Sequence, residues 1–329
     1  MMKDASCRLH CLLSLSLVLV STLGCGPAAE EAGAPPDSQP PSVAATVTTE
    51  APTMDELASA TFAGIMEEPV ELTGGHWQGE PFVEGGTTAP AVGLVRHFHL
   101  TGDITGDGSE EAIVLLWTSS GGSGTFDHLA VSGHSDEGIT TLGTAEIGDR
   151  VQIRGGRVTD GRITLEVLQA GPEDAACCPT QLATRVWEMG PVGLTETSSE
   201  VTGTLSVAEL QGPEWLLTDF AWNEAAPAEP EVTLVFEEGK IAGKAGCNGY
   251  FANAEEGGDM PSGLSIGPIG ATRMMCPEEI MAVENRFLRQ LAAATSYSYI
   301  AGRLAISWQS DNAAGAMIFA PREPTTSDS

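Results

Sequence analysis

Basic side chains are scarce in this chain of 329 residues. It holds 15 Lys and Arg against 45 Asp and Glu, which gives a formal net charge of −30 at pH 7. Nucleic acids and anionic lipid head groups are themselves negative, so this surplus of acid excludes electrostatic binding to either. The composition instead favours an exported protein with a solvated acidic surface.

Long hydrophobic runs and histidines are also missing from most of the chain. Beyond residue 24 no stretch reaches the roughly 18 consecutive apolar residues of a transmembrane helix, which excludes a spanning helix there. No histidine follows His134. Nitrogen ligands for a metal are therefore absent from the C-terminal half.

The N-terminus carries an export signal. Lys3 and Arg8 form a short basic region, and residues 11–23 form an apolar region too short to span a bilayer comfortably. The following Gly-Cys pair resembles the lipobox of bacterial lipoproteins, in which the cysteine, here Cys25, is lipidated and begins the mature chain. Gly26 stands where Asp would signal inner-membrane retention, so the resemblance implies the outer membrane, facing the periplasm or the surface. The alternative is an ordinary secretory signal.

Changes in composition divide the chain into segments. Residues 25–53 are rich in Pro, Ala, Ser, Thr and Glu, which predicts a disordered tether. The predicted organisation is a signal peptide at 1–24, the tether at 25–53, a β-rich domain at 54–190, a linker at 191–205, a second domain at 206–321 and a loose tail at 322–329.

Periodicity predicts the fold of each domain. The first alternates β-branched strands with glycine-containing turns, which indicates a mainly antiparallel β domain. In the second, "EVTLVFEEGKIAGKAG" predicts a hairpin around Glu238-Gly239. A helix is predicted after Pro277 from an apolar stripe that includes Ile280, Phe287 and Leu291. One helix on a curled antiparallel sheet is an α+β fold.

Two cysteines of the second domain are candidates for a disulfide. Cys247 follows the hairpin and Cys276 precedes the helix. Two lone thiols in a small exported domain usually oxidise together, and closing the loop between them would stabilise the fold by ~3.5 kcal/mol. The alternative is a redox or metal-binding pair, although neither a CxxC motif nor a nearby histidine supports it.

The first domain holds adjacent cysteines. The sequence leaves three states open for Cys177 and Cys178. They could form a vicinal disulfide, remain thiols or pair with cysteines of the second domain. A vicinal pair would also permit a redox switch.

The second domain resembles a known family. The stretches "GPEWLLTDF", "VTLVFEEGKIAGKAGCNGYFA", "LSIGPIGATRMMCPEEIMAVENRFLRQL" and "AGAMIFAP" are similar to the META domain of the HslJ-like family of bacterial exported and heat-shock proteins. The resemblance covers residues 206–321. It implies a small α+β domain with Trp215 in the core and an association with envelope stress and drug tolerance, and it brings no established catalytic mechanism or ligand. Asn248 and Arg273 are candidates for a recognition edge, or else belong to a turn and a salt bridge.

The stretch "TGDITGDGSEEAIV" resembles a short calcium-binding loop. Oxygen-bearing residues alternate, and Gly108 permits a sharp turn. It is not an EF-hand, because Val114 occupies the twelfth position. The alternative is a β-turn capped by its own acidic side chains. The candidate calcium ligands are Asp103, Thr105, Asp107, Ser109 and Glu111.

Two further features of the first domain are weaker. His97 and His99 share one face of a predicted strand, a spacing that can bind a transition metal, but the sequence fixes no third ligand. The stretches "TSSGGSGTFDHLAVSG" and "GPEDAACCPTQ" resemble an uncharacterised module of META-containing bacterial lipoproteins. That likeness names no function.

No complete catalytic constellation emerges from the sequence. We therefore expect a non-catalytic, lipid-anchored protein of the cell envelope that acts as a binding or structural module. Its expected partners are the membrane, through the lipid on Cys25, and an envelope protein or small ligand, with calcium as the one cofactor considered. The alternative is an inhibitor or sensor that docks an envelope protease or a small ligand through the loops after Gly246.

Overall fold

Antiparallel strand pairing organises most of the chain. The computed structural model describes residues 50–121, 124–175, 177–222 and 224–322. Every strand pair in these ranges is antiparallel. No helix within them is long and apolar enough to cross a membrane. The predicted signal peptide, most of the tether, Cys25 and nearly all of the predicted tail lie outside the described residues.

A short N-terminal segment covers one face of the first sheet. It consists of α1 (Met54–Leu57), β1 (Thr61–Phe62) and β2 (Val70–Glu71). The helix begins with a capping box, in which Thr53 and Glu56 satisfy each other's backbone N–H groups. The segment buries Leu57 and Phe62 against the sheet.

The first sheet has five strands in chain order. They are β3 (His76–Gln78), β4 (Ala91–Gly102), β5 (Glu111–Ser119), β6 (Phe126–Ser135) and β7 (Gly138–Asp149). Strand β5 is central and buried on both faces, which explains its continuous apolar run. Its Val114 and Leu116 face the N-terminal segment, whereas Ile113 and Leu115 face a second sheet.

The second sheet has four strands and packs on the first. They are β8 (Gln152–Thr159), β9 (Arg162–Gln169), β10 (Gln181–Gly190) and β11 (Gly193–Thr204). Ile163, Leu165 and Trp187 fill the layer between the two sheets. The result is a β-sandwich, held by side chains from both inner faces.

The predicted linker at 191–205 is instead almost entirely strand. Strand β11 pairs with β10 along its length and forms an edge of the second sheet. Most of its side chains are exposed, because an edge strand on the outer part of a sheet buries little. Its Thr-, Ser- and Glu-rich composition therefore resembles that of a linker.

The C-terminal part forms a strongly curled sheet with one helix. A 3-10 turn at Val207–Leu210 leads into it. Its elements are β12 (Trp215–Ala221), β13 (Glu224–Ala225), β14 (Thr233–Glu237), β15 (Lys240–Lys244), β16 (Gly249–Glu256), β17 (Leu264–Ile266), β18 (Gly270–Ala271), α2 (Glu278–Ala292), β19 (Ala294–Ile300), β20 (Arg303–Gln309) and β21 (Ala314–Pro321). The predicted α+β class, with a curled antiparallel sheet and one helix in this part, is confirmed.

The curled sheet nearly closes on itself. Its main strand order is β17-β16-β15-β14-β12-β21-β20-β19. The two ends meet where Gly263 bridges Ser296 and the Tyr297 N–H donates to the Ser262 carbonyl at 2.9 Å. Helix α2 packs on the interior through Phe287 and Leu291, as its apolar stripe predicts.

The predicted hairpin joins β14 and β15. Glu238 has φ 48° and Gly239 has φ 74°, so both central residues of the turn are left-handed. Two-residue hairpin turns with this backbone match the twist of the strands they connect. The hairpin is confirmed, and it places β15 directly before the Cys247 turn.

The sandwich and the C-terminal part are packed together. Residues 50–322 lie within one compact unit. Leu168 of β9 and Leu182 of β10 belong to the same buried cluster as Trp215. The turn between β19 and β20 also docks on β8, where the Gly302 N–H donates to the Ile153 carbonyl at 2.9 Å.

Asp127 is an ionisable group at a costly position. It is partly buried on β6, between its cross-strand partners Trp117 and Gly148. Burial raises the pKa of the Asp127 carboxyl to about 7, and the nearby negative charge of Asp149 adds to the effect.

We expect Asp127→Asn to stabilise the protein more at pH 8 than at pH 5. The folded-state pKa is above the unfolded value, so the proton on Asp127 stabilises the fold at low pH and this contribution is lost as the pH rises towards 7. Melting temperatures of the wild type and the variant at both pH values test this. The exposed Asp136→Asn serves as control, and an equal gain for Asp127→Asn at pH 5 and pH 8 would contradict the prediction.

Candidate functional site

Asn248 anchors the turn between β15 and β16. It is 1% exposed, and its backbone N–H donates to Glu284 Oε2 at 2.8 Å. Its side-chain amide donates to Glu284 Oε1 at 3.0 Å and to the Met274 carbonyl at 3.2 Å. Its Oδ1 accepts from Thr272 Oγ1 and from the Met274 N–H, both at 2.7 Å. One side chain thus ties together the turn, the 272–276 loop and helix α2.

A disulfide lies beside this network. The structure joins Cys247 to Cys276, with 6.2 Å between their Cα atoms. Cys276 immediately precedes Pro277, the N-cap of α2. The bond therefore connects the turn to the start of the same helix that Asn248 contacts through Glu284.

The position of Asn248 corrects its assignment to a recognition edge. Its polar groups are engaged inside the protein, so it cannot contact a partner directly. Arg273 is exposed in the adjoining loop, next to Met274 and Met275, of which Met275 is 97% exposed. Arg273 thus remains a candidate for surface recognition.

Sequence reasoning missed Glu284. It is 5% exposed, although it carries an ionisable carboxyl. The signal was available, because position 284 lies four residues after Ile280 and three before Phe287, on the apolar stripe of α2. An acid on a buried helix face needs a partner, and here that partner is Asn248.

The predicted calcium loop holds its own backbone. Asp103 accepts from the N–H groups of Gly106 at 2.6 Å and Gly108 at 3.0 Å. Glu111 is 2% exposed and accepts from the Ile104 N–H at 2.8 Å and the Thr105 N–H at 3.2 Å. These contacts fit the capped-turn alternative.

The remaining predicted ligands lie in the same loop. Asp107 Oδ1 accepts from the Ser109 N–H at 2.7 Å, and this hydrogen bond holds the pKa of Asp107 below its usual value. Within the described ranges no group of three or more His, Cys, Asp and Glu side chains is arranged to hold a metal ion. Calcium binding by this loop stays a prediction.

The adjacent cysteines lie in the loop between β9 and β10. The structure joins Cys177 to Cys178 as a vicinal disulfide. Asp174 stabilises the loop by accepting from the N–H groups of Gly171 at 2.8 Å and Thr180 at 2.7 Å. In this arrangement neither cysteine pairs with the C-terminal part.

A cleft opens where the β19–β20 turn meets the sandwich. It has a volume of about 600 Å³. Strands β4 and β8 form one side, and β12, the β19–β20 turn and the end of β21 form the other. Its lining residues are His97, Phe98, His99, Leu100, Arg154, Gly155, Gly156, Thr218, Asp219, Ala301, Gly302, Arg303, Ala320 and Pro321.

Charged groups face this cleft from both sides. Arg303 forms an ion pair with Asp219 and also donates to Thr218 Oγ1. The Nη2 atom of Arg154 lies 3.4 Å from Glu209 Oε2. Desolvation lowers the pKa of His97, and repulsion from Arg303 lowers it further. The cleft therefore holds two guanidinium groups beside an imidazole whose pKa is below its usual value.

The two histidines do not form a metal site with any third side chain of the described residues. Both are exposed on β4, and His99 Nε2 lies 3.0 Å from the Pro52 carbonyl. The geometry assigns them to the wall of the cleft.

We expect Glu284→Gln to lower the free energy of unfolding by about 2 kcal/mol. The change removes the charge and one acceptor from the buried bonds to Asn248, and buried hydrogen bonds to charged groups are worth this much. Urea unfolding under oxidising conditions measures the loss. Glu255→Gln, at an exposed position of β16, is the control. Equal stabilities of the two variants would rule out this role of Glu284.

We expect Glu111→Ala to lower the free energy of unfolding by about 2 kcal/mol in the presence of a chelator, because the Ile104 and Thr105 N–H groups lose their acceptor. The neighbouring exposed Glu110→Ala should have little effect.

Adding calcium to the chelated protein then tests the predicted ion site. A rise in melting temperature in the wild type but not in Asp107→Ala would establish it, and a normal stability of Glu111→Ala in chelator would contradict the capping role.

Comparison with known proteins identifies the C-terminal part. Residues 208–322 match the family model described as the META domain. No curated protein and no solved structure matches the chain. The matched range contains the curled sheet, the Asn248 network and helix α2, and it places Trp215, 4% exposed, in the core as the resemblance implies. The similarity predicted from the sequence is thus confirmed, and the C-terminal part of this chain carries a META domain.

Proposed function

We propose that this protein is a non-catalytic, lipid-anchored component of the cell envelope. In this proposal the sandwich and the META domain act together as one binding module. The observation that carries it is the cleft at their junction, because both parts contribute its walls. Binding sites occur preferentially at such junctions.

The polar groups of the cleft are suited to holding a ligand in place. The Asp219 carboxylate already accepts from Arg303 and from Thr218 Oγ1. His99 is engaged with the Pro52 carbonyl. Side chains fixed by neighbouring contacts present their remaining donors in one geometry, which favours specific recognition.

The membrane attachment in this proposal rests on the N-terminal sequence. Cys25 would carry the lipid and residues 26–53 would act as the tether, with the outer membrane as the favoured location. The acidic composition agrees with attachment through a lipid, because a chain of net charge −30 gains nothing from anionic head groups. The META resemblance would connect the module to envelope stress or drug tolerance.

A second candidate function is favoured by the surface of the META domain. Phe251 is 67% exposed on β16, and Met274 and Met275 are exposed in the loop held by the disulfide. Exposed apolar side chains near Arg273 would suit an inhibitor or sensor that docks an envelope protease or a small ligand through the loops after Gly246.

We expect Cys25→Ser to abolish fatty-acid labelling of the full chain and to release it from the membrane fraction if the signal is still cleaved. Labelling in a bacterial host, followed by fractionation and mass determination of the mature N-terminus, measures both effects. Cys7→Ser, within the signal peptide, is the control and should be labelled like the wild type. Undiminished labelling of Cys25→Ser would refute the anchor.

A further inference from the structure

The junction cleft gathers hydrogen-bond donors that the protein does not fully use. Each guanidinium carries five N–H donors and no acceptor. Arg303 is 13% exposed, and its contacts to Thr218 and Asp219 use a single terminal nitrogen. Arg154 reaches Glu209 through one terminal nitrogen, and its Nε is buried without a hydrogen-bond partner among the described residues.

The acidic side chains near the cleft engage only part of this donor set. Asp219 contacts Arg303 through Oδ2, and the same oxygen accepts from Thr218 Oγ1 at 2.7 Å. Glu209 lies 3.4 Å from Arg154, beyond the usual length of a charge-assisted hydrogen bond. The buried Arg154 Nε is out of reach of a ligand, but Nη1 of Arg154 and both Nε and Nη1 of Arg303 make no hydrogen bond to the described residues. A ligand rich in acceptor oxygens would complement these donors.

Two glycines of β8 line the cleft and differ in the space around them. A Cβ atom on Gly156 would lie 2.9 to 3.1 Å from side-chain atoms of Leu165, Phe98 and Leu100, closer than ordinary van der Waals contact, so a larger residue there would displace them. Gly155 differs, because a Cβ atom there would meet nothing within 4 Å. A side chain introduced at Gly155 would therefore enter open space on the cleft wall.

We propose that the junction cleft binds a small anion through a carboxylate or phosphate group, held by Arg303 and Arg154 with His97 beside it. This inference rests on the proposed binding function and names its ligand class. Planar guanidinium groups match both oxyanions in geometry, and a site walled by protein on two sides strengthens their attraction. The unused N–H donors of Arg303 and Arg154 distinguish this cleft from the rest of a chain whose net charge is −30.

His97 makes the proposed binding dependent on pH. The charged groups that act on it are Arg303 and Arg96, which disfavour its protonated form, and Asp219, which favours it. A bound anion beside Arg303 would offset the positive field and favour protonation of His97. Because such linkage is reciprocal, protonation of His97 would in turn favour the anion.

The test is titration of the chain from residue 26 onwards, which lacks only the signal peptide and the predicted lipidated Cys25, with inorganic phosphate and with succinate in a cationic buffer. Binding is followed by calorimetry and by the NMR signal of His97. We expect saturable binding of at least one anion, and the phosphate and succinate arms tell the two ligand chemistries apart.

The pH dependence is tested by comparing binding at pH 6 with binding at pH 8. Sulfate replaces phosphate in this comparison, because its charge is the same at both pH values. We expect tighter binding at pH 6, and we expect this difference to be lost in His97→Gln.

Two variants locate the site. Arg303→Lys should weaken binding about tenfold, because a lysine cannot form the paired contacts of a guanidinium. Gly155→Phe should block binding by filling the cleft while leaving both arginines in place, and it carries the test if Arg303→Lys fails to fold. Arg157→Lys, exposed on the same strand β8, is the matched control and should bind like the wild type.

Absence of saturable binding by both anions would overturn the inference, and so would unchanged binding in a folded Gly155→Phe variant. Either result would leave the proposed envelope function standing, because labelling of Cys25 reports on the anchor independently of any anion. Undiminished labelling of Cys25→Ser together with intact anion binding would instead refute the anchor and retain the site.

Discussion

The buried contact between Asn248 and Glu284 is the interaction on which the META part depends. An ionisable carboxyl inside a small domain is costly unless its oxygens are satisfied, and here they receive both the backbone and the side-chain N–H groups of one residue. The Oδ1 atom of Asn248 in turn accepts hydrogen bonds from Thr272 and Met274 of the 272–276 loop. The network contacts α2, the 272–276 loop and the turn that carries Cys247, and it adds to the apolar packing of Phe287 and Leu291.

The sandwich and the META part are connected by a different kind of contact. Apolar side chains of β9 and β10 complete the core around Trp215, and the β19–β20 turn adds a backbone hydrogen bond to β8. Next to these lie Tyr297 and Tyr299, both nearly fully buried, with the Arg154 guanidinium 5.1 Å from the Tyr299 ring centre. This seam joins the two walls of the cleft, so the shape of the cleft depends on both parts of the chain.

Local features of the fold were predictable from the sequence, and features that depend on distant contacts were not. The Glu238-Gly239 hairpin and helix α2 follow from turn chemistry and from periodicity within a few residues. Strand β11 was mistaken for a linker, because an exposed edge strand and a linker share a polar composition. The sequence left Asn248 as either a recognition-edge or a turn residue, and only the turn alternative agrees with its burial, which depends on Glu284, 36 positions away. The cleft has no sequence signature, since the arginines that face it lie on β8 and β20, on opposite sides of the seam.

The near-closure of the META sheet limits how another protein can engage it. An open sheet presents unpaired backbone N–H and C=O groups along its edges. Where β17 and β19 meet, the bridge at Gly263 and the hydrogen bond from the Tyr297 N–H pair some of these groups. Pairing of an incoming strand with a free edge is the usual route by which sheets recruit extended peptides or aggregate. In the described part of this domain that route is restricted. A partner would therefore have to contact side chains that project from loops and faces, and substitutions there would change that contact without disturbing the backbone.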